Sequence, residues 1–178
     1  MHSKSNKFSI TKKSVWSLIL QAKYFKANFL DDKSKVTIEK SLNGIKYRYK
    51  YDIQEKKIID NNFKIDDYTD NLFKLYLPII FNKEKTYLLG HLAQTLDGFI
   101  ATQTGESKYI SSEENLFHIH ALRAISDIII VGYNTVRLDN PLLTTRLVKG
   151  KNPMRIILDK NNKLDKKFAM FVLKDSKP

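Results

Sequence analysis

The segment from Asp127 to Gly132 contains a short and continuously apolar run. A strand that is covered on both faces has this character, and such strands belong mainly to parallel sheets with helices on either side. Two later segments, Met154 to Asp159 and Phe168 to Leu173, are further strand candidates of the same kind. The chain is therefore predicted to build a parallel sheet, which needs helices to cover it.

Helical patterns lie around the first of these runs. Ser111 and Glu114 form a capping-box pattern, which predicts a helix that ends near Ser126. A second, shorter helix is predicted from Gly132 to Asn140, where Pro141 follows. The alternation of strand, helix and strand indicates an α/β domain.

A polar segment from Phe81 to Lys85 reads as a linker and divides the 178 residues in two. After it, Thr86 to Gln94 is predicted to be a strand that runs into a turn at Asp97-Gly98. We therefore expect residues 86–178 to form the α/β domain and residues 1–85 to form an N-terminal extension.

The extension is predicted to contain two helices. Apolar residues recur at spacings of three and four from Lys13 to Phe29, which predicts a helix. A weaker helical pattern from Asp66 to Tyr76 is expected to end before Pro78, because proline disfavours helix at the residue before it.

Between these helices a hairpin is predicted. Asn43-Gly44 suits a tight turn between strands Lys35 to Lys40 and Ile45 to Asp52. The second strand alternates strictly between aromatic and basic residues: Tyr47, Tyr49 and Tyr51 against Lys46, Arg48 and Lys50. An aromatic and basic ribbon could stack nucleic-acid bases, but a strand with one packed face is the favoured interpretation.

Composition excludes several classes of protein. The net charge is +12, but the lysines are scattered among acids and no nucleic-acid-binding motif accompanies them, so nucleic-acid binding is not favoured. The chain contains no cysteine, which excludes a disulfide framework and makes the cytoplasm the expected compartment. The most apolar stretch, Leu72 to Phe81, is broken by Lys74 and Pro78, so no membrane span is expected.

Five ordered blocks in the second half carry a family resemblance. They are residues 92–101 with Leu96-Asp97-Gly98, 105–110 with Gly105-Glu106-Ser107, 120–124 with His120-Ala121-Leu122-Arg123, 131–146 with Asp139-Asn140-Pro141, and 152–159 with Asn152-Pro153. Together they resemble the RibD-family pyrimidine reductases, which form the reductase half of the riboflavin-pathway deaminase-reductase. The resemblance implies a dihydrofolate-reductase-like fold, with a mostly parallel sheet and flanking helices.

The resemblance also implies a reaction and a site. The reaction is the NADPH-dependent reduction of the ribosyl group of a diamino-ribosylamino-pyrimidinone phosphate to ribityl, without a metal. The residues implied in contact with NADPH are Ala93, Tyr109, Thr135 and Asp139, with Asp139 as the catalytic residue beside the reacting sugar carbon. Those implied in contact with the phosphorylated substrate are Ser107, Arg123, Leu143 and Arg146. Each of these residues also has a purely structural interpretation, such as a helix cap for Thr135.

The family domain continues beyond the point that corresponds to Pro178, with further strands and a glycine pair over the cofactor phosphates. We therefore expect an incomplete cofactor site and an uncovered sheet edge, which favours a homodimer or a complementing C-terminal polypeptide.

Two alternative functions stay open. One is a catalytically inactive interaction or scaffold protein derived from a reductase. The other is a reductase of another pyrimidine or pterin-like substrate, because Phe99 stands where the family usually has a cation. His91, His118 and His120 do not share a helix face at a spacing that would favour a metal site.

Overall fold

The structure is a computed structural model, and it describes residues 7–28, 34–103 and 112–173. The chain divides into two compact units, Met1–Tyr87 and Leu88–Pro178. Among the described helices, none is both long enough and apolar enough to cross a membrane.

The first unit contains two helices and an antiparallel sheet in the order β1-β2-β3. Its elements are α1 (Lys12–Asn28), β1 (Lys35–Leu42), β2 (Ile45–Asp52), β3 (Lys57–Asn61) and α2 (Asp67–Ile80). Asn43 and Gly44 connect β1 to β2, and their φ angles of 51° and 77° are those of the predicted tight turn. The predicted hairpin is therefore confirmed.

The two faces of β2 have the roles that its alternation predicts. Tyr47, Tyr49 and Tyr51 are buried, and the Tyr49 ring packs against Phe73 of α2 at 5.1 Å between centroids. On the other face, Lys46 pairs with Glu39 at 2.6 Å and Arg48 pairs with Asp60 at 2.7 Å. The strand is amphipathic, and acids on the neighbouring strands engage two of its cations.

Two predictions for the first unit are wrong, and one of its strands was missed. The strand β3 was not predicted, since two isoleucines among polar residues gave no clear alternation. Helix α2 does not end before Pro78 but continues to Ile80, because Leu77 and Ile80 are buried and their packing outweighs the local cost of proline. Phe81 is no linker residue, since it is buried and its ring stacks on that of Tyr51.

The second unit is an α/β arrangement, as predicted. It contains α3 (Glu113–Ile125), β4 (Ile128–Gly132), α4 (Tyr133–Asp139), β5 (Met154–Leu158) and α5 (Ala169–Val172). Strands β4 and β5 pair in parallel, from Ile128 beside Met154 to Gly132 beside Leu158. The N-cap of α3 is Ser112, whose hydroxyl accepts from the Asn115 amide, and Ser111 lies outside the described residues.

Only one face of the β4-β5 pair is covered in the described part of the chain. On that face, three sheet residues pack against a buried cluster: Ile129, Val131 and Ile157 against Val136, Leu143 and Met170. The opposite face is apolar and exposed, with Ile128 at 47%, Ile130 at 50%, Met154 at 50% and Leu158 at 64% exposure. The run was correctly identified as a parallel strand, but the expectation that both faces are buried is wrong within the described residues.

Two predicted strands are also wrong. Residues 86–94 are irregular, and Leu88 and Leu92 are exposed, so within the described ranges this segment has neither a paired strand nor a packed face to hold it extended. Residues 168–173 contain the short helix α5, because the Asn140 side chain accepts from the Ala169 amide at 2.8 Å and Met170 packs into the buried cluster.

The turn after the irregular segment forms as predicted. The Gly98 amide donates to the Thr95 carbonyl at 3.0 Å, and the φ of Gly98 is 88°, where a side chain is disfavoured.

Candidate functional site

Two arginines that the sequence predicted to bind substrate meet at one threonine. Arg123 lies in the last turn of α3, and its Nη1 donates to the Thr144 carbonyl at 3.2 Å. Arg146 follows in the loop after α4, and its Nη1 donates to the Thr144 hydroxyl at 3.3 Å. We call Arg123 and Arg146 the arginine pair.

No carboxylate that the structure describes balances the positive charge of the arginine pair. In the described part of the chain, no carboxylate forms a salt bridge with either guanidinium. The Nε atom of Arg123 is buried and has no hydrogen-bond partner there. Burial lowers the pKa of Arg123 from its ordinary value, and the charge of Arg146 lowers it further. An oxyanion bound here would offset both effects, and guanidinium groups suit phosphate because they donate parallel hydrogen bonds.

A buried histidine lies against the arginine pair. His120 is 2% exposed, and its Nδ1 accepts from the backbone N–H of Arg146 at 3.0 Å and, less closely, from that of Leu147 at 3.5 Å. Burial lowers the pKa of His120 to about 4, and the charges of Arg123 and Arg146 contribute to the same shift. The imidazole is therefore neutral near pH 7, with Nδ1 free to accept.

Sequence reasoning missed this role for His120, since it considered the residue only as a metal ligand. One feature of the sequence could have indicated that His120 lies near Arg123. His120 precedes Arg123 by three residues, and this spacing places both on the same side of a helix.

The segment that carries Arg146 is held by an internal hydrogen bond and by a close contact with α3. We call residues 143–152 the Arg146 loop. Within it, the Thr145 amide donates to the Asn152 side chain at 2.6 Å. Gly150 lies directly against Ala124 of α3, where a Cβ on the glycine would come within 2.5 Å of the alanine Cβ. The loop therefore has a defined shape around the arginine pair.

Leu143, at the start of the Arg146 loop, is placed differently from the arginines. Its side chain is buried with Val136 and Met170, so a ligand could reach only its backbone. Its φ of 53° lies in the left-handed region, which is unusual for a side chain of this size.

Thr135 and Asp139, two predicted cofactor contacts, lie one turn apart on α4 and so share a helix face. Helix α4 begins directly after β4, at the carboxyl edge of the parallel pair, where α/β sheets commonly bind ligands. Thr135 is exposed and Asp139 is half-buried. In the described part of the chain, neither side chain forms a hydrogen bond or a salt bridge, so both can meet a ligand.

The described residues do not bring the remaining predicted contacts to this edge of the sheet. Ala93 is half-buried in the irregular segment, and no described hydrogen bond joins it to α4. That segment meets α3 instead, where the His91 ring bonds the Asn115 side chain at 3.1 Å and lies 5.4 Å from the His118 ring. Ser107 and Tyr109 lie outside the described residues.

Comparison with known families covers the same part of the chain. Residues 86–178 match the family described as RibD C-terminal domain, which is more than half of the chain. The chain belongs to the RibD C-terminal domain family. The arginine pair and α4 both lie inside the matched residues.

Two curated relatives of this RibD C-terminal domain protein carry informative names. It is 49% identical over 78 residues to the riboflavin biosynthesis protein RibD of Aquifex aeolicus, which covers 43% of this chain and 22% of that protein. It is 43% identical over 97 residues to the 2,5-diamino-6-ribosylamino-4(3H)-pyrimidinone 5′-phosphate reductase of Methanothermobacter thermautotrophicus, which covers 53% of this chain and 44% of that protein. The chain thus spans less than half the length of these relatives.

A solved structure is also similar to this RibD C-terminal domain protein. It is a diaminohydroxyphosphoribosylaminopyrimidine deaminase/5-amino-6-(5-phosphoribosylamino)uracil reductase from Thermotoga maritima. The match has 43% sequence identity and a TM-score of 0.44, and it covers 48% of this chain and 24% of that one.

Proposed function

We propose that this chain takes part in the reduction of the ribosyl group of a diamino-ribosylamino-pyrimidinone phosphate to ribityl, a step of riboflavin biosynthesis. The observation that supports this proposal most directly is the arginine pair. Arg123 and Arg146 meet at Thr144 without a carboxylate counter-charge in the described part of the chain. Two curated relatives of the chain are named as a reductase of a ribosylaminopyrimidinone phosphate and as RibD.

In this proposal the arginine pair binds the phosphate of the substrate. Arg123 is partly buried and fixed by the Thr144 carbonyl, so its position is set before the substrate arrives. Arg146 is exposed and can close on the phosphate from the solvent side. Ser107 and the backbone of Leu143 complete the substrate site by the family resemblance.

A reductase of this family implies a nicotinamide cofactor, and we propose that it is NADPH. The residues present fit such a group, because Thr135 and Asp139 offer a hydroxyl and a carboxylate on one face of α4 at the sheet edge, and no other described residue engages either one. When bound, the reduced nicotinamide supplies a hydride to the sugar carbon. Asp139 would contact the cofactor beside that carbon, where its negative charge would stabilise the positive charge that the nicotinamide ring acquires as the hydride leaves. Ala93 and Tyr109 are the remaining proposed NADPH contacts.

The experiment that tests this function starts with cofactor binding. The purified chain is titrated with NADPH by calorimetry, with NADH as the matched control, and the oxidation of NADPH is then followed with the pyrimidine phosphate. Saturable binding that prefers NADPH, followed by substrate-dependent oxidation, is the expected result. A folded chain that binds neither nucleotide would overturn the proposal for this polypeptide acting alone.

A second candidate function concerns association. The uncovered face formed by Ile128, Ile130, Met154 and Leu158 is wholly apolar, while parallel strands are normally covered on both faces. We propose that a second copy of this chain covers it, because identical apolar faces complement one another about a two-fold axis. A complementing C-terminal polypeptide is the competing occupant, and a chain that is monomeric until such a polypeptide is added would support that occupant instead.

A further inference from the structure

His120 makes a contact that the predicted site residues do not account for. Its side chain is 2% exposed, and its Nδ1 accepts from the Arg146 amide at 3.0 Å. Because Nδ1 accepts, its proton in the neutral ring must be on Nε2. The histidine is thus a buried acceptor for the backbone of the residue whose guanidinium completes the arginine pair.

We propose that His120 is a positioning residue, which holds the backbone of Arg146 so that its guanidinium stands beside Arg123 ready for an oxyanion. This inference rests on the proposed function, in which the arginine pair binds the phosphate of the substrate. His120 does not itself contact the ligand in this proposal, and it acts through Arg146.

The other contacts of Arg146 explain why this restraint matters. Its side chain is exposed, and its described anchor is a 3.3 Å hydrogen bond to the Thr144 hydroxyl. A long side chain with one such anchor samples several rotamers, and motion of its backbone would widen the range of positions of the guanidinium further. The bond to His120 fixes that backbone at the residue itself.

Histidine suits this position because it can accept while it is neutral. The charged groups that face it are Arg123 from its own helix and Arg146 from the loop. A carboxylate here would neutralise the arginine pair and compete with an incoming anion. A protonated imidazole would lose its acceptor and add a third positive charge, so the neutral ring is the form that serves the site.

The test uses the full chain and two variants of His120. His120→Asn keeps an acceptor oxygen close to the position of Nδ1. His120→Leu keeps the bulk of the side chain but removes the acceptor. The control is His118→Leu, since the His118 ring lies against His91 instead. Hydrogen exchange of the Arg146 and Leu147 amides is measured by NMR, and inorganic phosphate is titrated into each protein.

We expect His120→Leu to lose about tenfold in both amide protection and phosphate affinity, since an amide is left without its partner. His120→Asn should restore most of each, and His118→Leu should resemble the unsubstituted chain. Phosphate should also raise the pKa of His120, because an anion offsets the charges of the arginine pair. Unchanged amide protection and phosphate affinity in His120→Leu would overturn the proposal.

Two further results separate this inference from the proposed function. If the unsubstituted chain binds no phosphate, the phosphate assignment of the arginine pair fails, while the amide protection still shows whether His120 holds the Arg146 backbone. If His120→Leu does not fold, the nitrogen chemical shifts of His120 in the unsubstituted chain decide the point. A proton on Nδ1 would contradict the proposal, and a proton on Nε2 would support it.

Discussion

Gly150 and Ala124 lie so close together that a Cβ on the glycine would come within 2.5 Å of the alanine Cβ. The φ of Gly150 is 155°, a conformation that residues with side chains rarely adopt. Two independent constraints therefore require glycine at this position. The contact joins the Arg146 loop to α3, and α3 carries both His120 and Arg123.

Gly150→Ala should destabilise the second unit by about 1–3 kcal/mol, because the added methyl overpacks a close contact. The free energy of unfolding from denaturant titration measures this. The matched control is Gly90→Ala, since a Cβ on Gly90 meets nothing within 4 Å and its φ is not in the restricted range. Equal stability of the two variants would show that the loop does not pack on α3 in this way.

Adding Ala124→Gly to Gly150→Ala should restore part of the lost stability. It removes the methyl that the new side chain would meet, although the unusual φ of residue 150 persists. A double-mutant cycle isolates the contact between the two positions. A coupling free energy near zero would assign the effect of Gly150→Ala to backbone strain alone.

Arg146→Gln should weaken binding of the phosphorylated substrate by about 10- to 100-fold, because one charged partner of the phosphate is lost. Binding of the substrate, measured by calorimetry, checks this. Arg48→Gln is the matched control, since it removes the same charge from a half-buried residue of the first unit that pairs with Asp60. If both variants lose affinity equally, net charge rather than the arginine pair governs binding.

Ile130→Lys should reduce self-association of the chain, because it places a charge in the centre of the uncovered apolar face. Sedimentation velocity over a range of concentrations gives the oligomeric state. Ile45→Lys is the control, since Ile45 is also exposed but begins a strand of the first unit. A monodisperse monomer before substitution would contradict the proposal that a second copy covers this face.

The sequence correctly predicted those elements in which the local residue pattern and the packing favour the same secondary structure. The strict alternation of β2 placed its tyrosines in the core, and the Asn43-Gly44 turn fixed the register of the hairpin. The apolar runs of β4 and β5 predicted a parallel pair. These elements form because short-range preferences and burial favour the same conformation.

The wrong secondary-structure predictions lie where tertiary packing overrides the local sequence pattern. Helix α2 passes through Pro78 because the residues around it are buried. Residues 168–173 form a helix in part because the Asn140 side chain, distant in sequence, accepts from the Ala169 amide. A strand prediction for residues 86–94 needs a neighbouring strand, and the described structure gives it none.

The site was predicted only in part for a similar reason. Arg123 and Arg146 were identified by resemblance, and the structure brings them together at Thr144. The acceptor role of His120 depends on a contact between residues 26 positions apart, which spacing along one helix does not reveal. The contact of Gly150 with Ala124 could not be predicted either, because it depends on the path of the loop.

The pKa of His120 also predicts how stability depends on pH. Burial, together with the charges of Arg123 and Arg146, lowers this pKa from 6.5 to about 4 in the folded chain. Between these two values, the unfolded chain takes up a proton that the folded chain does not. The free energy of unfolding should therefore fall as the pH is lowered from about 6.5 towards 4, with a slope contribution of up to about 1.4 kcal/mol per pH unit.

Denaturant titrations at several pH values in this window measure the effect. His120→Asn is the matched variant, since it keeps an acceptor but does not titrate, so its stability should depend less steeply on pH than that of the unsubstituted chain. The two slopes should converge above pH 7, where the imidazole is neutral in both states. Identical slopes throughout the window would mean that His120 titrates normally, which is incompatible with a buried imidazole that accepts from the Arg146 backbone and feels the charges of Arg123 and Arg146.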